Sequence, residues 1–289
     1  MPLLKRQFFS TVLSLIGVAA VLTNLALMWI AWRLRYCTKE IRLAVLLASV
    51  DTTLAIFTIW TSVLSSWNGG FEHMIVFCKY KGPFDFLLLY LSLVLVALIA
   101  MTRYFKIREA SIPLPIWIVT GSCTTLYAIL ISVVAAQGEF APSWSGCDCT
   151  PNASKSLISA SLLFFLGFSM FVSLLATLFA YLRVLCFVKE TKLMSSHNLK
   201  AKHKVMVRVI GISCIYLFLI APSSMFIMLE GSRNSNESTV LNGIISILNA
   251  LNNIANPCIV LFAHSSIYEQ LRLIFRSIWT TNPDNTLEK

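Results

Sequence analysis

Seven long apolar segments, at residues 8–32, 41–66, 74–102, 113–136, 156–188, 205–229 and 240–263, take up most of this 289-residue chain. Each meets the roughly 20 residues that a helix needs to cross a hydrocarbon layer ~30 Å thick. In lipid every backbone N–H and C=O must be satisfied within its own segment, so such runs span as helices. Hydrophobic residues make up 57% of the chain and charged residues 12%, about half the usual globular share of charge. A mean hydropathy of +0.77 leaves no room for a separate soluble domain of ordinary size. The first segment is too long for a signal-peptide core and lacks a convincing cleavage site, so it reads as a retained helix. The expected fold is an all-α membrane protein, a seven-transmembrane helix bundle over residues 1–263.

The basic residues set the expected orientation. With the amino terminus outside, the inner connections hold Arg33, Arg35, Lys39, Arg42, Arg103, Lys106 and Arg108. They continue through Arg183, Lys189, Lys192, Lys200, Lys202, Lys204 and Arg208 to Arg272, Arg276 and Lys289. The outer side keeps only Lys5, Arg6, Lys79, Lys81, Lys155 and Arg233. This positive-inside bias turns the +10 net charge into a membrane-surface signature, and no nucleic-acid partner is expected. The same topology places two glycosylation sequons outside, at Asn152-Ala-Ser and Asn236-Glu-Ser. The expected location is the plasma membrane.

Four polar residues of the third segment, Cys78, Asp85, Ser92 and Arg103, fall in one stripe. Spacings of seven, seven and eleven residues bring all four to nearly one direction at about 100° per residue. An ionised group at membrane depth costs roughly 2.5–3.5 kcal/mol or more unless it faces the bundle interior. The stripe therefore marks a polar axis through the bundle. Of the 13 acidic residues, only Asp51 and Asp85 lie deep within predicted helices. Asp51 has candidate partners at similar depth in Ser92 and in Asn249, Asn252, Asn253 and Asn256 of the seventh segment. Asp51, Ser92, Asn252 and Asn256 form a hard oxygen set suited to Na⁺; the plainer alternative is a hydrogen-bonded knot between helices.

These residues resemble the rhodopsin-like (class A) G-protein-coupled receptors along nearly the whole chain. Asn24 is similar to the family's first-helix asparagine, Leu47-Ala-Ser-Val-Asp51 to its LAxxD motif, and Thr102-Arg103-Tyr104 to D/E-R-Y. Tyr181 resembles the fifth-helix tyrosine, Pro222 the sixth-helix kink proline, and Asn256-Pro257 the start of NPxxY. After it, residues 264–278 read as an amphipathic helix on the inner leaflet, with Ile267, Leu271, Ile274 and Ile278 opposite Arg272 and Arg276. Residues 279–289 read as a short cytoplasmic tail.

The resemblance implies a small-molecule ligand, a heterotrimeric G protein contacted through Arg103 and Tyr104, and no cofactor beyond an allosteric Na⁺. It also implies a disulfide from Cys78 to the second outer loop, where Cys147 is preferred over Cys149. Asp85 stands where the family holds the counter-ion of amine ligands, and a carboxylate in a low-dielectric cleft favours a cation. Amine recognition is preferred; a salt bridge to Lys81, four residues back, and a protonated carboxyl donor stay open. Leu89, Phe226 and Ile227 are expected as apolar walls and Ser223 and Ser224 as hydroxyl donors of the ligand site.

Departures from the family pattern are marked. Val260 replaces the tyrosine of NPxxY, Ile220 the sixth-helix tryptophan, and Thr102 the acid beside Arg103; Lys202 falls where many members place a second acid. The fifth segment has no proline. Other classes fit less well. A retinal protein needs a lysine in the last segment, and 240–263 has none. A catalytic set is missing too, because the two aspartates lie on different helices at different depths. The alternative is a seven-helix channel or transporter using Asp51, Asp85 and the asparagines, although neither repeats nor broken helices are visible.

Overall fold

The computed structural model describes residues 3–34, 38–66, 70–142, 149–152, 156–190, 199–232, 239–263 and 273. Seven helices follow in chain order: α1 (Leu3–Arg33), α2 (Lys39–Ser66), α3 (Gly70–Ile107), α4 (Leu114–Ala136), α5 (Leu157–Glu190), α6 (Leu199–Ser232) and α7 (Thr239–Ala263). All seven are long and apolar enough to cross a membrane. They coincide with the seven apolar segments, and α3 outruns its segment at both ends. The amphipathic helix expected at 264–278 and the tail lie outside the described residues.

One element was not foreseen. Between α4 and α5, β1 (Phe140–Pro142) pairs antiparallel with β2 (Cys149–Pro151), Phe140 opposite Pro151 and Pro142 opposite Cys149. Gly138 reaches this hairpin through a positive φ of 67°, a conformation that costs glycine little.

Half of the α3 span is buried, against 17% of α4. Accordingly α3 is the central pillar, packed on α2, α4, α5 and both strands, while α4 lies at the periphery. α1 packs on α2 and α7, and α5 on α6. Gly167 lets α5 and α6 close up: a Cβ there would lie 2.6 Å from Met228 Cγ and 2.8 Å from its backbone nitrogen. Outward-facing Leu15, Trp60, Phe168 and Phe218 are exposed, as lipid-facing positions are when their neighbours are acyl chains.

Pro83, Pro222 and Pro257 sit inside α3, α6 and α7, and each helix continues through its proline. Proline has no N–H for the carbonyl four residues earlier, so each marks a weak point in its helix.

Candidate functional site

A cavity of about 130 Å³ opens beneath the hairpin, walled by α2, α3, α5, α6, α7 and β2. It takes in the expected Asp85, Leu89, Phe226 and Ile227 and adds Thr58, Phe86, Leu163, Asn249, Ser246 and Asn253. Ser223 and Ser224 are absent from its wall. Both are fully buried, and their hydroxyls donate to carbonyls of their own helix, Leu219 at 3.1 Å and Ala221 at 2.9 Å. Each hydroxyl is spent on a carbonyl of the preceding turn, and Phe226 and Ile227, one turn further on, line the cavity instead.

The roof is tied down covalently. Cys78 is bonded to Cys149, with Cα atoms 5.2 Å apart, which corrects the expected partner, Cys147. The hairpin decides the matter. Phe140 of β1 lies edge-on to Phe86 at 5.7 Å and sits over Gly82, where a Cβ would run into its ring. The register then carries Cys149, opposite Pro142, to the top of α3. At the far end Glu139 accepts hydrogen bonds from Ser156 and Ser159, while Ser156 caps α5 by accepting the Ser159 N–H at 3.1 Å.

Asp85 is held in an ion pair with Lys81, one turn back on α3. Lys81 is only 4% exposed, and its ammonium also reaches Thr61 of α2 at 3.4 Å. The internal pair left open by the sequence is thus the arrangement present.

Below the cavity lies a closed hydrogen-bond network. Ser92 donates to Asp51 Oδ1 at 2.7 Å, and the Asn256 amide donates to Asp51 Oδ2 at 2.8 Å and to Ser92 Oγ at 3.3 Å. The Asn256 oxygen in turn accepts from Tyr216 of α6 at 2.9 Å. Asn24 of α1 donates to the Asn253 carbonyl of α7 at 2.9 Å. Of the expected Na⁺ ligands, Asp51, Ser92 and Asn256 therefore meet, and Asn252 stands apart with a buried Oδ1 that takes no hydrogen bond among the described residues. Asn256 turns its N–H groups toward the carboxylate and gives its oxygen to Tyr216, so of these three Asp51 and Ser92 are the residues whose oxygens face the centre of the cluster.

At the opposite end of α3, Arg103 donates to the Tyr181 hydroxyl of α5 at 3.0 Å. Thr102 donates to its own helix at Leu98, 2.7 Å away, and gives Arg103 nothing. Tyr104 packs edge-on against Phe179 of α5 beneath the Arg108 guanidinium. Lys106 pairs with Glu40 at the start of α2, 3.0 Å away. Tyr216 and Glu40 went unnoticed in the sequence; the signals available were a hydroxyl within the sixth apolar run and an acid at the edge of the second.

A seven-helix bundle with a roofed cavity at one end and a half-buried arginine at the other defines a class of membrane receptor. The family model for the seven-transmembrane receptors of the rhodopsin family matches residues 23–259. The chain belongs to that family. The comparison with curated protein sequences returns no match.

Proposed function

We propose that this chain is a plasma-membrane receptor, amino terminus outside, that binds a small uncharged ligand beneath the hairpin and activates a heterotrimeric G protein at the Arg103 end. The observation that carries the ligand class is that Asp85, in the cavity wall, is already paired with Lys81. An amine approaching Asp85 meets a carboxylate whose charge Lys81 already balances, and taking Lys81's place would leave a buried ammonium beside Thr61. Breaking a buried pair in this way costs on the order of 3–5 kcal/mol, which is two to four decades of affinity. An uncharged molecule with one hydrogen-bond donor avoids that cost. It meets Asp85 at one end and Leu89, Phe226 and Ile227 along its body. The volume suits a compact occupant, since an engineered apolar cavity of about 150 Å³ holds benzene.

The test is a panel of size-matched alcohols, ketones and amines applied to cells bearing wild type or Asp85→Asn, read by nucleotide exchange on the G protein. Neutral agonists of the wild type support the reading. Activation confined to amines and lost in Asp85→Asn would restore the counter-ion role. A channel would instead show ligand-gated current and no nucleotide exchange.

A further inference from the structure

We infer that Tyr216 is the latch between α6 and α7, a positioning residue whose hydroxyl fastens α6 to the buried polar cluster. The signalling consequence rests on the receptor reading above; the latch itself rests on geometry. Position 260 on α7 holds a buried valine, so α7 has no hydroxyl there. The hydroxyl that reaches Asn256 comes from the neighbouring helix. Tyr216 is 2% exposed and donates to Asn256 Oδ1 at 2.9 Å. Asn256 is the junction of the whole network, giving its amide hydrogens to Asp51 of α2 and Ser92 of α3. One hydroxyl thus fastens α6 to a cluster already shared by α2, α3 and α7.

The position along α6 gives that bond a mechanical meaning. Pro222 breaks the hydrogen-bond ladder opposite Phe218. On one side of this weak point Phe226 and Ile227 face the cavity. On the other, six residues before the proline, Tyr216 holds Asn256. A ligand that presses the cavity wall bends α6 about Pro222 and strains the bond below it. Ring packing alone would resist such bending only weakly, whereas loss of this hydrogen bond strands a buried acceptor on Asn256.

Tyr216→Phe removes the hydroxyl and keeps the ring. Hydrogen–deuterium exchange on purified full-length protein should show residues 207–218 exchanging about three- to tenfold faster in the variant, with α4 unchanged. Asn256→Ala removes the same bond from the other side and should give the same acceleration, which decides the question if Tyr216→Phe is not recovered. Tyr181→Phe loses a comparable hydroxyl elsewhere and should leave 207–218 at the wild-type rate. Wild-type exchange in Tyr216→Phe, or equal acceleration in Tyr181→Phe, overturns the latch. The same preparations are assayed for ligand-free nucleotide exchange on a G protein, expected to rise about three- to tenfold in Tyr216→Phe. Faster hydrogen exchange with no nucleotide exchange from any preparation upholds the latch and removes the coupling.

Discussion

At the scale of single residues, the buried polar side chains divide by what already satisfies them. Arg103 faces a tyrosine hydroxyl and no carboxylate, so nothing of opposite charge beside it on α3 holds it in a resting position. Thr102→Asp supplies that charge and is expected to lower ligand-free nucleotide exchange by about tenfold, the equivalent of ~1.4 kcal/mol. An unchanged basal rate in the variant would refute this. Asp51 is the opposite case, with both carboxylate oxygens engaged by direct hydrogen bonds. Exchanging Na⁺ for K⁺ in a binding assay should therefore shift agonist affinity by less than about twofold, a negligible coupling free energy. A tenfold shift would put an ion back into the cluster. The importance of Asp51, Asp85 and Arg103 was legible in the sequence, because charge at membrane depth needs a reason. Ser92 and Asn256 as partners of Asp51, and Lys81 as one alternative for Asp85, were legible too; the tyrosines that reach Asn256 and Arg103 were not, since those bonds depend on helix rotations that no spacing encodes.

At the scale of elements, the seven helices were written in the apolar runs, but the hairpin was not. A three-residue strand carries no periodicity to read, and Cys147 and Cys149, two apart, would share a face of any strand. Only the pairing of Pro142 with Cys149 and the seating of Phe140 over Gly82 choose between them. Cys149→Ser is expected to lose a typical 2–4 kcal/mol of disulfide stabilisation and to reach the cell surface poorly, whereas Cys147→Ser should appear at wild-type levels. Flow cytometry of an amino-terminal tag checks both. Ser223 and Ser224 teach a similar lesson. Beside a helical proline, a serine serves the kinked backbone before it can serve a ligand. Close approach of helices was equally silent in sequence. Gly167→Leu should force α5 from α6 at Met228 and lower the melting temperature of the purified protein more than the same change at Gly121, which has open space around it.

At the scale of the whole molecule, the expected topology has a direct chemical reporter. A glycan on Asn152, which follows β2, would fix the hairpin end as the outer one. N-glycosidase treatment should increase gel mobility of the wild type, and the shift should vanish in Asn152→Gln combined with Asn236→Gln. No shift in the wild type would remove this support for the orientation. The Lys81–Asp85 pair has the widest consequence. The two residues share one helix, so Lys81 stands at its carboxylate at an effective concentration on the order of millimolar or more. Any free amine in the surrounding fluid competes with a tethered one that never diffuses away. On the proposed reading, free amines are thereby screened out by prior occupancy, without a steric gate, and the cavity is left to scarce uncharged molecules against a background of abundant cations.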